Sequence, residues 1–425
     1  MRARSLPSAA GLGNITEMAI RTSSSVRDVA LEVTWARARA LAPTLGITRI
    51  TETTWLDRAG VPVAVAIRPD AAPGSLCVTA GKGMTVMEAM VGATMEAIEY
   101  AWAEHNRASL RVHRQPASAV LDGATRPHAL LDLCPIWGQP IAFEAVLDCV
   151  EMHDIVTETP MLVPAELVFH PFKQNSGLSY FGTSTNGLCS GNTVEEATVH
   201  GLCEVVERDV LSFHRVRGRS LLVDPATLPP ALAALAARLA DTGFDLTLRA
   251  LPNPFQLPCY LAFSSDREQR RMTLPGSGCH PSREIAATRA ICETLQARLS
   301  LIHGGRDDLA GWAHHDGKSR DQVEREYHEF LAGFGAAPGA VAFDQTFVDG
   351  AALDTVGALR ADILSRLTGQ GFGRVLRTVY TPRDYPVQVV RVLVPGLEFY
   401  SRETRRRGPR LAAFIRSMPP PPQRG

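Results

Sequence analysis

The sequence predicts a mixed α/β fold of the α+β kind, with helices carried on a β-sheet scaffold. Three observations predict it. Stretches of helical hydrophobic spacing alternate with short β-branched runs. Three of the helical stretches gather polar groups, either several acids or an Arg, a Glu and a Gln, within one arc of the helix. A long Gly/Ser/Asn loop, PFKQNSGLSYFGTSTNG, delivers the chain to the middle one. A loop of that length inside a compact chain is more often functional than not.

Taken in order, residues 1–22 hold few large apolar side chains and are expected to lie loosely. Residues 26–45 have helical spacing through Val29, Leu31, Val33, Trp35 and Ala38. ITRITETTW alternates and VPVAVAIRP is a continuous β-branched run, so both read as strands around an LDRAG turn, with a short strand at 75–80. Gly81-Lys82-Gly83 reads as a loop, and Thr85 with Glu88 three residues on starts a helix. The lysine is either exposed on a flexible turn or placed for an anion at the helix N-terminus. Residues 110–135 read as a connector, and PIAFEAVLDCVEM and MLVPAELVFH as strands.

The middle helix is expected from Asn192, as N-cap with Glu195 completing a capping box, to about Arg215. LPPALAALAARLA is an amphipathic helix with Pro229 and Pro230 in its first turn and Gly243 beyond its end. FDLTLRAL and LPCYLAFSS follow as strands. GSGCHP reads as a turn before a helix capped by Ser282 and closed by the polar run at 304–308. Residues 309–345 read as a surface excursion, 354–367 as a helix, GRVLRTVYT and YPVQVVRVLVPG as strands, and SMPPPPQRG as an extended tail.

On the middle helix Glu196, Glu204 and Glu207 fall within an arc of roughly 80°. Carboxylates crowded on one face repel, so this face is either a wet stripe or the wall of a cation-filled pocket. Glu96 and Glu99 share one face of the preceding helix; alone, that pair would be a solvated face. Arg289, Glu293 and Gln296 fall within about 60° on the third helix, where the plain alternative is an intrahelical Arg–Glu pair worth a few tenths of a kcal/mol.

Composition narrows the classes. With 425 residues, 45% hydrophobic and 21% charged, the chain is ordinary for a globular protein with a large core, as two or three domains or one large one. Lys plus Arg and Asp plus Glu number 44 each, so net charge gives no reason to expect nucleic acid or a membrane surface. None of the eight cysteines forms a C-x-x-C pair, which argues against a thiolate zinc site. Cys189 reads as a packing residue, His200, His214 and His314-His315 as surface or satisfied core, and the five tryptophans mark no stripe. There is no apolar signal region and no apolar run of about 18 residues, so a cytoplasmic location is expected.

The three polar faces together resemble the signature segments of the YcaO family. They are Glu96/Glu99, then Asn192/Glu196/Glu204/Glu207/Arg208 in the spacing N-x-x-x-E-x-x-x-x-x-x-x-E-x-x-E-R, then Arg289/Glu293/Gln296. GITRI, LDRAGVPV, GKGMT, VPAELV and RVLVPGLE are similar to further family segments, and the likeness covers roughly 47–400. It implies a YcaO fold with an ATP cleft lined by acidic helices. The chain would divide into an N-terminal helical segment (1–46), a catalytic domain (47–400) and a Pro-rich tail (401–425). Glu96, Glu99, Glu196, Glu204 and Glu207 would hold Mg²⁺; Lys82, Asn192, Arg208, Arg289 and Glu293 would contact ATP or order those ligands.

The implied reaction activates a backbone amide of a ribosomally made precursor peptide, giving a thioamide or an azoline. Alternatives are amidine formation or amide cleavage at the same site, or a non-catalytic nucleotide-binding scaffold. A homodimer is implied. No winged-helix leader-binding region is recognisable, so a separate partner is expected, and the GITRI, LDRAGVPV and GKGMT segments are most similar to members working with a TfuA-type protein. Departures from the pattern are Tyr100 for the Arg that usually ends the first signature, Gly92 for its Ser, and a run of prolines at 419–422 in place of an alternating P-x-P-x-P end.

Overall fold

A computed structural model of the chain describes residues 20–22, 24–120, 129–268, 270–306, 319–332, 339–350, 354–401 and 404–418. The loose start at 1–19, Asp307-Asp308, Trp312, His314-His315 and the proline run at 419–422 lie outside the described residues. In chain order the elements begin β1 (Ile20–Arg21), β2 (Val26–Arg27), α1 (Leu31–Leu41), β3 (Arg49–Glu52), β4 (Val63–Ile67), β5 (Val78–Lys82) and α2 (Val86–Ala103). They continue with β6 (Val112–Pro116), β7 (Val146–Asp154), β8 (Thr159–Pro164), β9 (Leu188–Gly191), α3 (Val194–Val216) and β10 (Leu221–Val223). Next are α4 (Pro230–Asp241), β11 (Phe244–Ala250), β12 (Cys259–Asp266), β13 (Pro275–Cys279) and α5 (Arg283–His303). The last are α6 (Arg320–Ala332), β14 (Ala340–Val341), α7 (Val356–Gly369), β15 (Leu376–Val379), β16 (Gln388–Leu393) and α8 (Pro409–Arg416).

The strands form three main sheets: β3-β4-β5, β6-β7-β15-β16-β9 with β8 added on β7, and β13-β12-β11-β10-β14. Pairing is antiparallel apart from the short β10–β14 contact. Each sheet ends on a strand that leads directly into a helix: β5 into α2, β9 into α3, β13 into α5. These three units repeat one pattern. A hydroxyl side chain caps each helix, Thr85 accepting from Glu88 N–H, Thr193 from Glu196 N–H, and Ser282 from Ile285 N–H. The eleventh residue after the cap is Glu96, Glu204 or Glu293, and the fourteenth is Glu99, Glu207 or Gln296. Gly81 and Gly278 hold the same strand position in the first and third units. A Cβ on either would sit 2.1 or 2.2 Å from a carbonyl oxygen of its own helix, so both lie where strand and helix touch.

The units close on one another. Helix α2 packs also on β9, α3 on β13, and α5 back on β5. Sheet edges that would otherwise leave backbone groups unpaired are thereby covered. Each helix sits in its own apolar cluster: α2 with α1, β7 and Phe169, α3 with β16 and α7, α5 with α4 and β12. The mixed α/β architecture on a β scaffold is the one expected.

Several local expectations are corrected. The helix at 26–45 begins only at Leu31, because Val26–Arg27 pair with Ile20–Arg21 and Ala30 is extended. Gly81 and Lys82 belong to β5 rather than to a loop, and GSGCHP is largely strand β13, since pairing with β12 overrides its poor β propensity. Cys189 lies in β9. The connector at 110–135 contains β6, and the excursion at 309–345 contains α6 and β14. The cap of α3 is Thr193, not Asn192, and Glu196 rather than Glu195 is the third residue after it.

Candidate functional site

The three units meet around a cavity of about 420 Å³, a size suited to a small-molecule ligand. The eleventh and fourteenth residues of every unit line it, as do Lys82, Glu196, Arg208 and Arg289. Of the ten site residues expected from sequence, Asn192 alone stands outside the lining. It is buried behind Glu196, exchanging hydrogen bonds with Thr34 and donating to a Glu196 oxygen at 3.2 Å.

Neighbouring units hold each other's polar residues. Ser190 of β9 donates to Glu99 Oε1 at 2.6 Å; Ser277 of β13 donates to Glu207 Oε1 at 2.7 Å and to Glu293 Oε1 at 3.3 Å; Gln296 donates to the Ala80 carbonyl of β5 at 2.7 Å. Glu96 accepts from Ala80 N–H at 3.0 Å and Glu204 from Gly187 N–H at 3.1 Å. That last contact depends on Gly187, whose φ is +76° and whose added Cβ would lie 2.1 Å from Val392 O. Cys189 points its thiol at Glu204, 3.7 Å away, and burial pushes its pKa far up, so it is an inert packing thiol.

Electrostatically the wall has two sides. Burial raises Glu96, and raises Glu99 to about 8 with help from the Glu96 and Glu204 charges and against the Ser190 bond. Burial also raises Glu207, opposed by Arg208, whose Nη1 lies 3.5 Å from its Oε1. Glu293 differs. Burial opposes its charge too, but Lys82, with Nζ 2.7 Å from Oε2, together with Arg208 and Arg289 holds its carboxyl below the usual range.

Two groups of contacts were not foreseen. His200 lines the cavity and accepts from Arg289 at 2.9 Å. Residues 20–22 and 24–31 cross the helix N-terminal ends: Arg21 reaches Ser282, Ser24 reaches Glu88, and Arg27 with Asp28 N–H reaches Glu196. The signal for His200 was its position, four residues from both Glu196 and Glu204 and hence on their face. Nothing in the N-terminal residues marks the strap in advance.

The family model described as YcaO cyclodehydratase, ATP- and Mg²⁺-binding, matches residues 80–398. The chain belongs to the YcaO family. An uncharacterized protein of Methanothermobacter thermautotrophicus is 34% identical over 87% of this chain and 94% of its own length. A Rhizobium leguminosarum bv. trifolii protein described as lying in a tfuA 3' region is 32% identical over 89% and 91%. Among solved structures, YcaO from Methanopyrus kandleri bound with AMPPCP and Mg²⁺ superposes with a TM-score of 0.71 at 25% identity, covering 93% of this chain and 98% of its own. A heterocyclase in complex with substrate and cofactor shares the fold at a TM-score of 0.69 and 18% identity, over 92% and 55% of the two chains.

ATP and Mg²⁺ are thus the ligands of the family, and the residues of this cavity fit them. Recessed carboxylate oxygens are hard donors, and their mutual repulsion is relieved by a cation. Among the described residues no three His, Cys, Asp or Glu side chains form a metal cage by themselves. Mg²⁺ at a nucleotide takes one or two carboxylates and completes its shell with phosphates and water. Among the described residues no helix is long and apolar enough to cross a membrane.

Proposed function

We propose that this YcaO protein uses Mg-ATP to activate a backbone amide of a ribosomally made precursor peptide, giving a thioamide or an azoline. The observation that carries the reading is the two-sided wall within a YcaO chain. Glu96, Glu99 and Glu204 are held by neutral donors, while Lys82, Arg208 and Arg289 gather around Glu293. Bound ATP supplies the phosphoryl group that turns the amide oxygen, once a nucleophile has added to the carbonyl, into a leaving group that departs as phosphate. Glu96, Glu99, Glu204 and Glu207 would hold Mg²⁺, and Glu196, fixed by Asn192, would complete the set. Lys82, Arg208 and Arg289 would face the phosphates, and Ser190 and Ser277 keep the carboxylates aimed.

The catalytic unit is assigned to 47–400, acting as a cytoplasmic homodimer. The tfuA-region relative supports a TfuA-type partner for leader recognition or sulfur delivery. The test is phosphate release with Mg²⁺ by wild type and Glu204→Gln, alone and with a neighbouring precursor peptide and partner, followed by the mass of the peptide. Wild-type turnover lost in the variant, with a mass change for sulfur-for-oxygen exchange or loss of water, supports the reading. ATP binding without turnover under every condition would move the assignment to a nucleotide-binding scaffold.

A further inference from the structure

The cations Lys82, Arg208 and Arg27 are each paired with a carboxylate, Glu293, Glu207 and Glu196 in turn. Arg289 is held by an imidazole instead, its Nη2 lying 2.9 Å from His200 Nε2. A guanidinium carries donors only, so Nε2 is the acceptor and the ring proton sits on Nδ1. Among the described residues nothing bonds His200 Nδ1, which is buried, so Arg289 itself selects this tautomer. Burial, then the Arg289, Arg27 and Lys82 charges, keep the ring from protonating by pushing its pKa well below the ordinary value.

The choice of acceptor has a physical consequence. A carboxylate would orient the guanidinium as well as an imidazole does, but it would also cancel its charge. A neutral nitrogen fixes the direction and leaves the charge in place. His200 and Arg289 occupy the same position of the second and third units, seven residues after the cap, and both line the cavity. Gly92 fills that position in the first unit and brings no side chain to compete.

We propose that His200 is a positioning residue that aims the Arg289 guanidinium into the cavity without bonding a carboxylate to it, so that its charge stays open to an anionic group of the bound nucleotide. This rests on the ATP-binding reading above.

The experiment is calorimetric titration with a non-hydrolysable ATP analogue and Mg²⁺. It compares wild type with His200→Gln, His200→Leu and His200→Glu, each also made in an Arg289→Ala background, with thermal melts to check folding. His200→Gln, a neutral acceptor, is expected to bind within about threefold of wild type; His200→Leu, without an acceptor, about tenfold weaker; His200→Glu weakest, by roughly thirtyfold. In the Arg289→Ala background all three are expected to lose most of their effect, which separates cancellation of Arg289 from repulsion between the new acid and Glu196 or Glu204. Gln and Glu variants binding alike, or penalties unchanged without Arg289, overturn the proposal. Should the Glu variant not fold, the Leu and Gln variants in the same cycle decide. A wild type with no affinity for the analogue defeats the ATP reading itself, and this role with it; wild-type affinity with a flat cycle defeats the role of His200 alone.

Discussion

Glu99 and Glu293 are both recessed carboxylates in the same cavity, on helices built to one plan, yet their surroundings drive them in opposite directions. On the seam between α2 and α3, burial, aided by the charges of Glu96 and Glu204 and against the Ser190 hydroxyl, lifts the Glu99 carboxyl to about 8. On the α5 wall, Glu293 is met by Lys82 and held below the usual range. The equivalent of Glu99 on α5 is Gln296, with no charge to place. The two carboxyls are thus driven apart by their neighbours rather than by the backbone, Glu99 by burial among acids and Glu293 by the cations around it.

That contrast can be broken most severely in turnover. Glu204→Gln is expected to lower ATP-dependent phosphate release on the order of 100-fold and to raise the Mg²⁺ concentration needed, whereas Glu293→Gln should leave the Mg²⁺ requirement nearly unchanged. Steady-state rates over a Mg²⁺ series check this; equal shifts in both variants would erase the distinction between the two walls.

Stability without metal should then show opposite signs. Glu293→Gln strands Lys82 and is expected to cost about 2 kcal/mol, read as a lower denaturation midpoint in EDTA. Glu99→Gln should stabilise, and in a pH-dependent way. The folded carboxyl titrates near 8 and the unfolded one near 4.5, so the folded state prefers the proton. Its penalty is absent below about pH 4.5 and grows as pH rises towards 8. The gap between variant and wild-type midpoints should widen over that window and close when Mg²⁺ and nucleotide are added. The smallest effect belongs to Ser277→Ala, which removes one hydroxyl shared by Glu207 and Glu293. A loss of about 1 kcal/mol is expected, again by chemical denaturation. A silent Ser277→Ala would mean that the two carboxylates are aimed by other contacts.

Much of this was written in the sequence. The acids of α3 stand out because a helix otherwise lined with Val, Leu and Cys places three carboxylates on one arc, which suits either a wet stripe or a cation pocket, and the spacing to Arg208 points to the family. The cap of α3 is ambiguous by one residue in the sequence because Asn192 and Thr193 are both good caps; the Thr193 hydroxyl takes the Glu196 N–H, while Asn192 turns to the Glu196 carboxylate. The strand at Pro275–Cys279 looks like a turn in the sequence because glycine and serine carry little β propensity; its partner β12 decides. The repeat itself was legible, in Thr-Val-x-Glu-Ala at Thr85 and again at Thr193, but its closure into a ring is a tertiary fact. The His200–Arg289 bond joins residues far apart in the chain and has no local signature.

The ring is closed by its first and last members. Lys82 meets Glu293 and Ala80 meets Gln296, contacts that span 211 and 216 positions of the chain. A polypeptide emerging from the ribosome can lay down β5–α2 and then β9–α3 while still lacking the third wall. The cavity therefore cannot be completed until α5 has been synthesised and has docked back on the start of the domain. A chain cut before α5 keeps the acids of α2 and α3 together with Lys82 and Arg208, but lacks Arg289 and the Glu293 carboxylate that Lys82 bonds.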